Sequence, residues 1–157
     1  STAYVTLRIP RAPWSVAPGG GGGGGTPGGG GLEYVSSSAS CSGGANEDIS
    51  FEITNTSGAD IEIDWIVVTF SSSPTAYFQR VEWDGDMVFN SNNPRAGSGE
   101  TVNFGSSKEI DAGDTAEITV ENFKDTPSGS GTDGDMCNLD FTVEFSDGST
   151  ITFNSGS

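Results

Sequence analysis

Histidine is missing altogether from this 157-residue chain, and basic residues of any kind number six against 22 acids. Without an imidazole there is no Ser-His or Cys-His pair to activate a nucleophile. No G-x-S-x-G elbow is present, and the glycine run is not followed by the G-K-[ST] that would set a lysine on phosphates. No carboxylate pair stands out for acid–base work on a glycoside. The chain therefore reads as a non-enzyme. The formal net charge of −16 argues against nucleic acid and anionic membrane surfaces as partners, because phosphate binding needs a basic surface. Apolar runs are also lacking: none approaches the roughly 18 residues of a membrane-spanning helix. No leader of the secretory type opens the sequence, and Ser1 reads as the start of a processed chain.

Cysteine is nearly absent too. Cys41 and Cys137 are the only two, with no histidine to complete a metal site beside them. Their wide separation suits a disulfide tying the ends of a sandwich together, which implies an oxidising, extracellular setting. The alternative is a pair of buried free thiols in a reducing compartment.

What the chain does have is glycine, gathered in one place. Gly19 to Gly25, then Thr26-Pro27, then Gly28 to Gly31 divide an N-terminal arm from the rest. Three regions follow: an arm (1–18), a polyglycine linker (19–31) bounded by Gly19, Gly25, Gly28 and Gly31, and a body (32–157). In the arm, Ala3, Val5, Leu7 and Ile9 alternate with Tyr4, Thr6 and Arg8, the period of a strand with one buried face. A lone strand cannot bury that face, so it must find a sheet in its own body or in a neighbour. As a coil the linker reaches roughly 20 Å root-mean-square; alternatively, side-chain-free backbone threads a crowded cleft. Charge divides at the same boundary. The arm holds Arg8 and Arg11 and no acid, while the remainder sets four basic residues against all 22 acids. Arm and body therefore attract each other.

The body reads as all-β. Ile49, Phe51 and Ile53 alternate with polar residues, as do Ile61, Ile63, Trp65 and Val67, and further strands fall at 32–35, 76–83, 87–90, 101–105, 115–122 and 139–145. Asp147-Gly148 between two alternating runs predicts a type I′ hairpin. Short strands with Gly, Ser and Asp turns, and no helical period, predict an antiparallel β-sandwich.

Four features invite ligands. The tetrad D-G-D-M occurs twice, at Asp84–Met87 and Asp133–Met136; the pairs Asp84/Asp86 and Asp133/Asp135 offer hard oxygen ligands to calcium, or are solvated turns. No other cofactor is expected. Trp65 alternates with Ile61 and Ile63 and reads as core; Trp83, sharing a face with Tyr77, reads as core or inter-subunit packing, with the exposed tryptophan of a glycan surface as the alternative. Asn55-Thr56-Ser57 is a sequon, which makes Asn55 a glycosylation candidate if the chain is exported.

The segments ISFEITNTSGADIEIDWIVVTF (49–70), IDAGDTAEITVENF (110–123) and LDFTVEFSDGSTITF (139–153) resemble immunoglobulin-like sandwich domains of exported haloarchaeal proteins. The lysine-poor, acid-rich balance is similar to that of halophilic archaeal proteins, whose carboxylates keep the surface hydrated in high salt. A terminal strand before such a domain resembles the donor strand of extracellular filament (pilus) subunits that polymerise by donor-strand complementation. That resemblance implies Ala3, Val5, Leu7 and Ile9 as donor residues and identical subunits as partners. The long glycine tether departs from those families, and type IV pilins are a poorer match because their long apolar helix is missing. Two rival expectations are a monomeric adhesion or carbohydrate-binding domain and a surface-layer or coat protein.

Overall fold

The polar–apolar alternation of the body is realised as strands throughout. The structure, a computed structural model, describes residues 30–156. Twelve strands form: β1 Leu32–Tyr34, β2 Ser40–Ser42, β3 Asp48–Asn55, β4 Ile61–Phe70, β5 Tyr77–Phe78, β6 Arg80–Trp83, β7 Asp86–Asn90, β8 Ala96–Gly97, β9 Thr101–Ile110, β10 Thr115–Glu121, β11 Asp140–Phe145 and β12 Thr150–Asn154. No helix occurs among the described residues.

Two antiparallel sheets carry the structure. The first runs β1-β3-β10-β6-β7, with β2 also paired to β3, and the second runs β12-β11-β4-β9; β5 and β8 form a separate short pair. The sheets face each other through aromatic rings. Phe51 of the first lies 4.6 Å from Phe153 of the second, and Trp83 meets Phe104 at 6.0 Å. Ile49, Phe51, Ile53, Ile118, Val120, Ile66, Val68 and Val143 are fully enclosed between them, each contributing roughly 1.5–3 kcal/mol of apolar burial. Edge strands of the two sheets meet on both sides. Tyr34 of β1 stacks on Phe153 of β12 at 5.3 Å, and Lys108 of β9 bonds Asp86 of β7 at 2.8 Å. Cys41 in β2 is joined to Cys137 with the Cα atoms 5.4 Å apart, across a separation of 96 residues. Closing so long a loop contributes about 4–5 kcal/mol in the chain-entropy picture.

Three expectations need correction. Trp65 is not core: it is half-buried on the outer face, while Trp83 is 2% exposed and packs inside. The cause is a bulge. Ile63 pairs Lys108 and Trp65 pairs Asn103, so the single residue Asp64 faces Phe104–Ser107. The phase of β4 shifts there, and Ile66, Val68 and Phe70 take the inner face. The span expected as one strand over 76–83 is split into β5 and β6, and β9 runs on through Gly105 to Ile110. The last hairpin is also not type I′. Glu144 pairs Thr150, the Phe145 N–H donates to the Ser149 carbonyl, and only Gly148 has positive φ, at 94°. That is a three-residue connection closed by a glycine bulge. The type I′ geometry belongs instead to Asp84-Gly85, with φ of 49° and 81° between the paired Trp83 and Asp86.

Candidate functional site

One loop of the body is folded back on itself. The chain leaves β10 after Glu121, makes the excursion Thr126–Thr132, and returns along Asp133–Met136. Asp125 Oδ1 accepts the Thr132 N–H at 2.8 Å and the Asp125 N–H donates to the Thr132 carbonyl at 3.0 Å, closing the loop at its neck. Arg95 holds its tip. This residue is 5% exposed, and its guanidinium donates to the carbonyls of Thr126 at 3.0 Å and Gly129 at 2.9 Å and to Asn92 Oδ1 at 2.8 Å. Its own N–H donates to the Pro127 carbonyl. A buried arginine bonded to neutral oxygens is here a fastener for the loop.

Between this loop and Ser72–Ala76 lies a cavity of about 280 Å3. Exposed Pro74 borders it, Ala76 and Met136 lie buried behind its wall, and three carboxylates line it: Asp125, Asp133 and Asp135. Asp133 is paired with Lys124, and Asp135 Oδ1 accepts the Cys137 N–H at 3.0 Å. The expected pair Asp133/Asp135 thus borders one cavity, but the two carboxylates have separate partners.

Asp84 and Asp86 diverge similarly. Asp84 Oδ1 accepts the Glu117 N–H at 2.8 Å, towards β10, whereas Asp86 Oδ2 accepts Lys108 Nζ, towards β9. The hydrogen bond and charge of Lys108 hold the Asp86 carboxyl below its ordinary value. Carboxylate oxygens within 4.8 Å of one another are found instead at the exposed trio Asp60, Glu109 and Asp111. Sequence spacing held no sign of this trio, because the pairing of Ile61 with Ile110 and Glu62 with Glu109 assembles it.

Asn55 is not available to a glycan in the folded chain. It is fully buried, with Nδ2 donating to the carbonyls of Ala59 at 2.7 Å and Ile110 at 2.8 Å, and with Oδ1 accepting the Ser57 N–H and hydroxyl. The sequon is a structural Asx turn whose amide nitrogen has no free valence towards solvent.

Ala3, Val5, Leu7 and Ile9, and the linker glycines Gly19, Gly25 and Gly28, lie outside the described residues. Gly31 is described, and the end of the tether is tightly seated. The Gly31 N–H donates to Asp147 Oδ2 at 3.3 Å, its carbonyl accepts the Thr56 N–H at 2.8 Å, and the Leu32 N–H donates to Ser149 Oγ at 2.9 Å. A Cβ at Gly30 would overlap Ser149, and one at Gly31 would overlap the Ser57 side chain. Only backbone fits between these turns.

The outer faces of both sheets are acidic. Glu33, Asp48, Glu52, Glu82, Glu117 and Glu121 lie on the outer side of the first sheet, with Arg80 the one cation among them. Burial, reinforced by Glu82, pushes the Glu121 carboxyl above its ordinary value despite Arg80 at 3.7 Å. The second sheet turns out Trp65, Val67, Thr69, Thr101, Asn103, Thr142, Thr150, Thr152 and Asn154, with Glu62, Asp64, Glu109, Asp140 and Glu144 as its acids there. Comparison of the chain with protein-family models, with curated proteins and with solved structures found no match.

Proposed function

We propose that this protein is a structural subunit of an extracellular filament, polymerising head-to-tail as the N-terminal strand of one copy docks on the body of the next. The observation that carries the reading is the closure of the body. Its two sheets face each other and their inner side chains are buried without the arm, so the apolar stripe Ala3, Val5, Leu7 and Ile9 is not needed to complete the core. A strand carrying such a stripe still has to bury it. A neighbouring copy is the partner always at hand, and a head-to-tail contact of this kind propagates. The immunoglobulin-like assignment belongs with this proposal, supported by antiparallel sheets whose neighbours β3–β10 and β4–β11 are distant in sequence. Export is supported by the Cys41–Cys137 bond. High-salt life is supported by the acidic surface.

Electron microscopy of the intact chain beside a deletion of Ser1–Ile9, both in molar salt, tests the proposal. Fibres are expected from the intact chain alone, and fibres from both would overturn it. A second reading, a glycan-binding body, is favoured by Trp65 on an outer face beside Asn103, among the hydroxyls of Thr69, Thr101 and Thr142. It predicts monomers and a loss of glycan affinity in Trp65→Ala.

A further inference from the structure

Each described cation of this acidic body already has an engagement. Arg80 lies by Glu121, Lys108 bonds Asp86, Lys124 pairs with Asp133, and Arg95 is buried under the loop it fastens. The two remaining basic residues of the chain are Arg8 and Arg11. The cavity beside the fastened loop has the complementary character, with apolar surface from exposed Pro74 and carboxylates from Asp125, Asp133 and Asp135. Lys124 offsets only one of those three charges.

We infer that this cavity receives the Arg8–Arg11 end of the arm of a neighbouring copy, which rests on the filament reading above. An arginine suits the site better than a metal ion. Its methylene stem lies along apolar surface while its head meets carboxylates. The carboxylates here have separate partners and are not the trio whose oxygens lie within 4.8 Å of one another. The composition of the arm matches: Ile9, Pro10, Ala12 and Pro13 flank the two arginines, so apolar surface accompanies each charge. Two copies of so acidic a body repel each other, and docking the one cationic segment against an acidic cavity offsets that repulsion and sets the register.

The test uses the full-length chain. In the triple variant Asp125→Asn, Asp133→Asn, Asp135→Asn, the amide oxygens at positions 125 and 135 can still accept the backbone N–H groups capped there, so the loop is retained while the charge is lost. The concentration needed for fibres should rise about tenfold. Arg8→Gln with Arg11→Gln should raise it similarly, and combining the two sets should add little more. Fibres from the triple variant at the wild-type concentration, with deletion of Ser1–Ile9 still abolishing them, would overturn the docking and leave the filament reading standing. Failure of the intact chain to form fibres would sink the filament reading, and a second measurement then decides the docking. Ser73→Cys with Arg11→Cys, oxidised mildly, should give a disulfide-linked dimer. No such bond, or one closed within a single chain, would overturn the inference.

Discussion

Asn55 Nδ2 donates to the carbonyl of Ile110 at 2.8 Å, so the last residue of β3 in one sheet is tied to the last residue of β9 in the other. Its second N–H takes the Ala59 carbonyl and its oxygen takes Ser57. One buried amide thereby satisfies two carbonyls and a turn. Asn55→Ala leaves those groups without partners and is expected to cost roughly 2–4 kcal/mol. Urea unfolding measures it. Expressed through a glycosylating secretory pathway, the folded wild type should keep its unmodified mass.

The two tryptophans of the body should respond differently, with Trp65 the one that departs from what alternation predicts. Trp83→Ala removes a ring 2% exposed that packs on Phe104, and a loss of about 3–5 kcal/mol is expected. Trp65→Ala truncates an outer-face ring and should cost under about 1.5 kcal/mol. Thermal melts of the two variants give the comparison, and equal losses would contradict the bulged register of β4.

The acidic outer face predicts a pH effect of definite sign. Burial and then Glu82 raise the Glu121 carboxyl in the folded state. Its folded pKa therefore lies above its unfolded one. The favourable contribution is complete below the unfolded value and is lost as pH rises through the raised folded value. Glu121→Gln should accordingly stabilise the protein at neutral pH, and the gain should vanish on acidification through the carboxylate range. Denaturant midpoints at several pH values test this, and a gain that persists in acid would contradict it. Asp86, held down by Lys108, runs the other way: what it contributes is lost as pH falls through its depressed value.

These cases mark what the residues disclose unaided. Alternation located β3, β10, β11 and β12, because their inner and outer positions never change phase. It misplaced Trp65 because the phase change in β4 is caused by four residues of β9, Phe104–Ser107, facing one, and only the run Gly105-Ser106-Ser107 hints at it. Asp84-Gly85 and Asp147-Gly148 were legible as turns, yet which became type I′ depends on strand register. The sequon at Asn55 was legible as chemistry but not as buried structure. The cavity of Asp125, Asp133 and Asp135 arises from a loop pinned by Arg95, a contact across more than thirty positions of chain that no local pattern encodes.

The seating of Gly30 and Gly31 bears on how the body meets mechanical load. A pull on the N-terminal arm enters at a point held by Thr56 on one side and by Asp147 and Ser149 on the other, so tension is shared between the ends of both sheets. It then runs along β1, in shear against β3. If β1 and β2 give way, the next link is covalent: Cys41 passes the force to Cys137. The strands β3 to β10 lie inside the loop that this bond closes and are bypassed by the load.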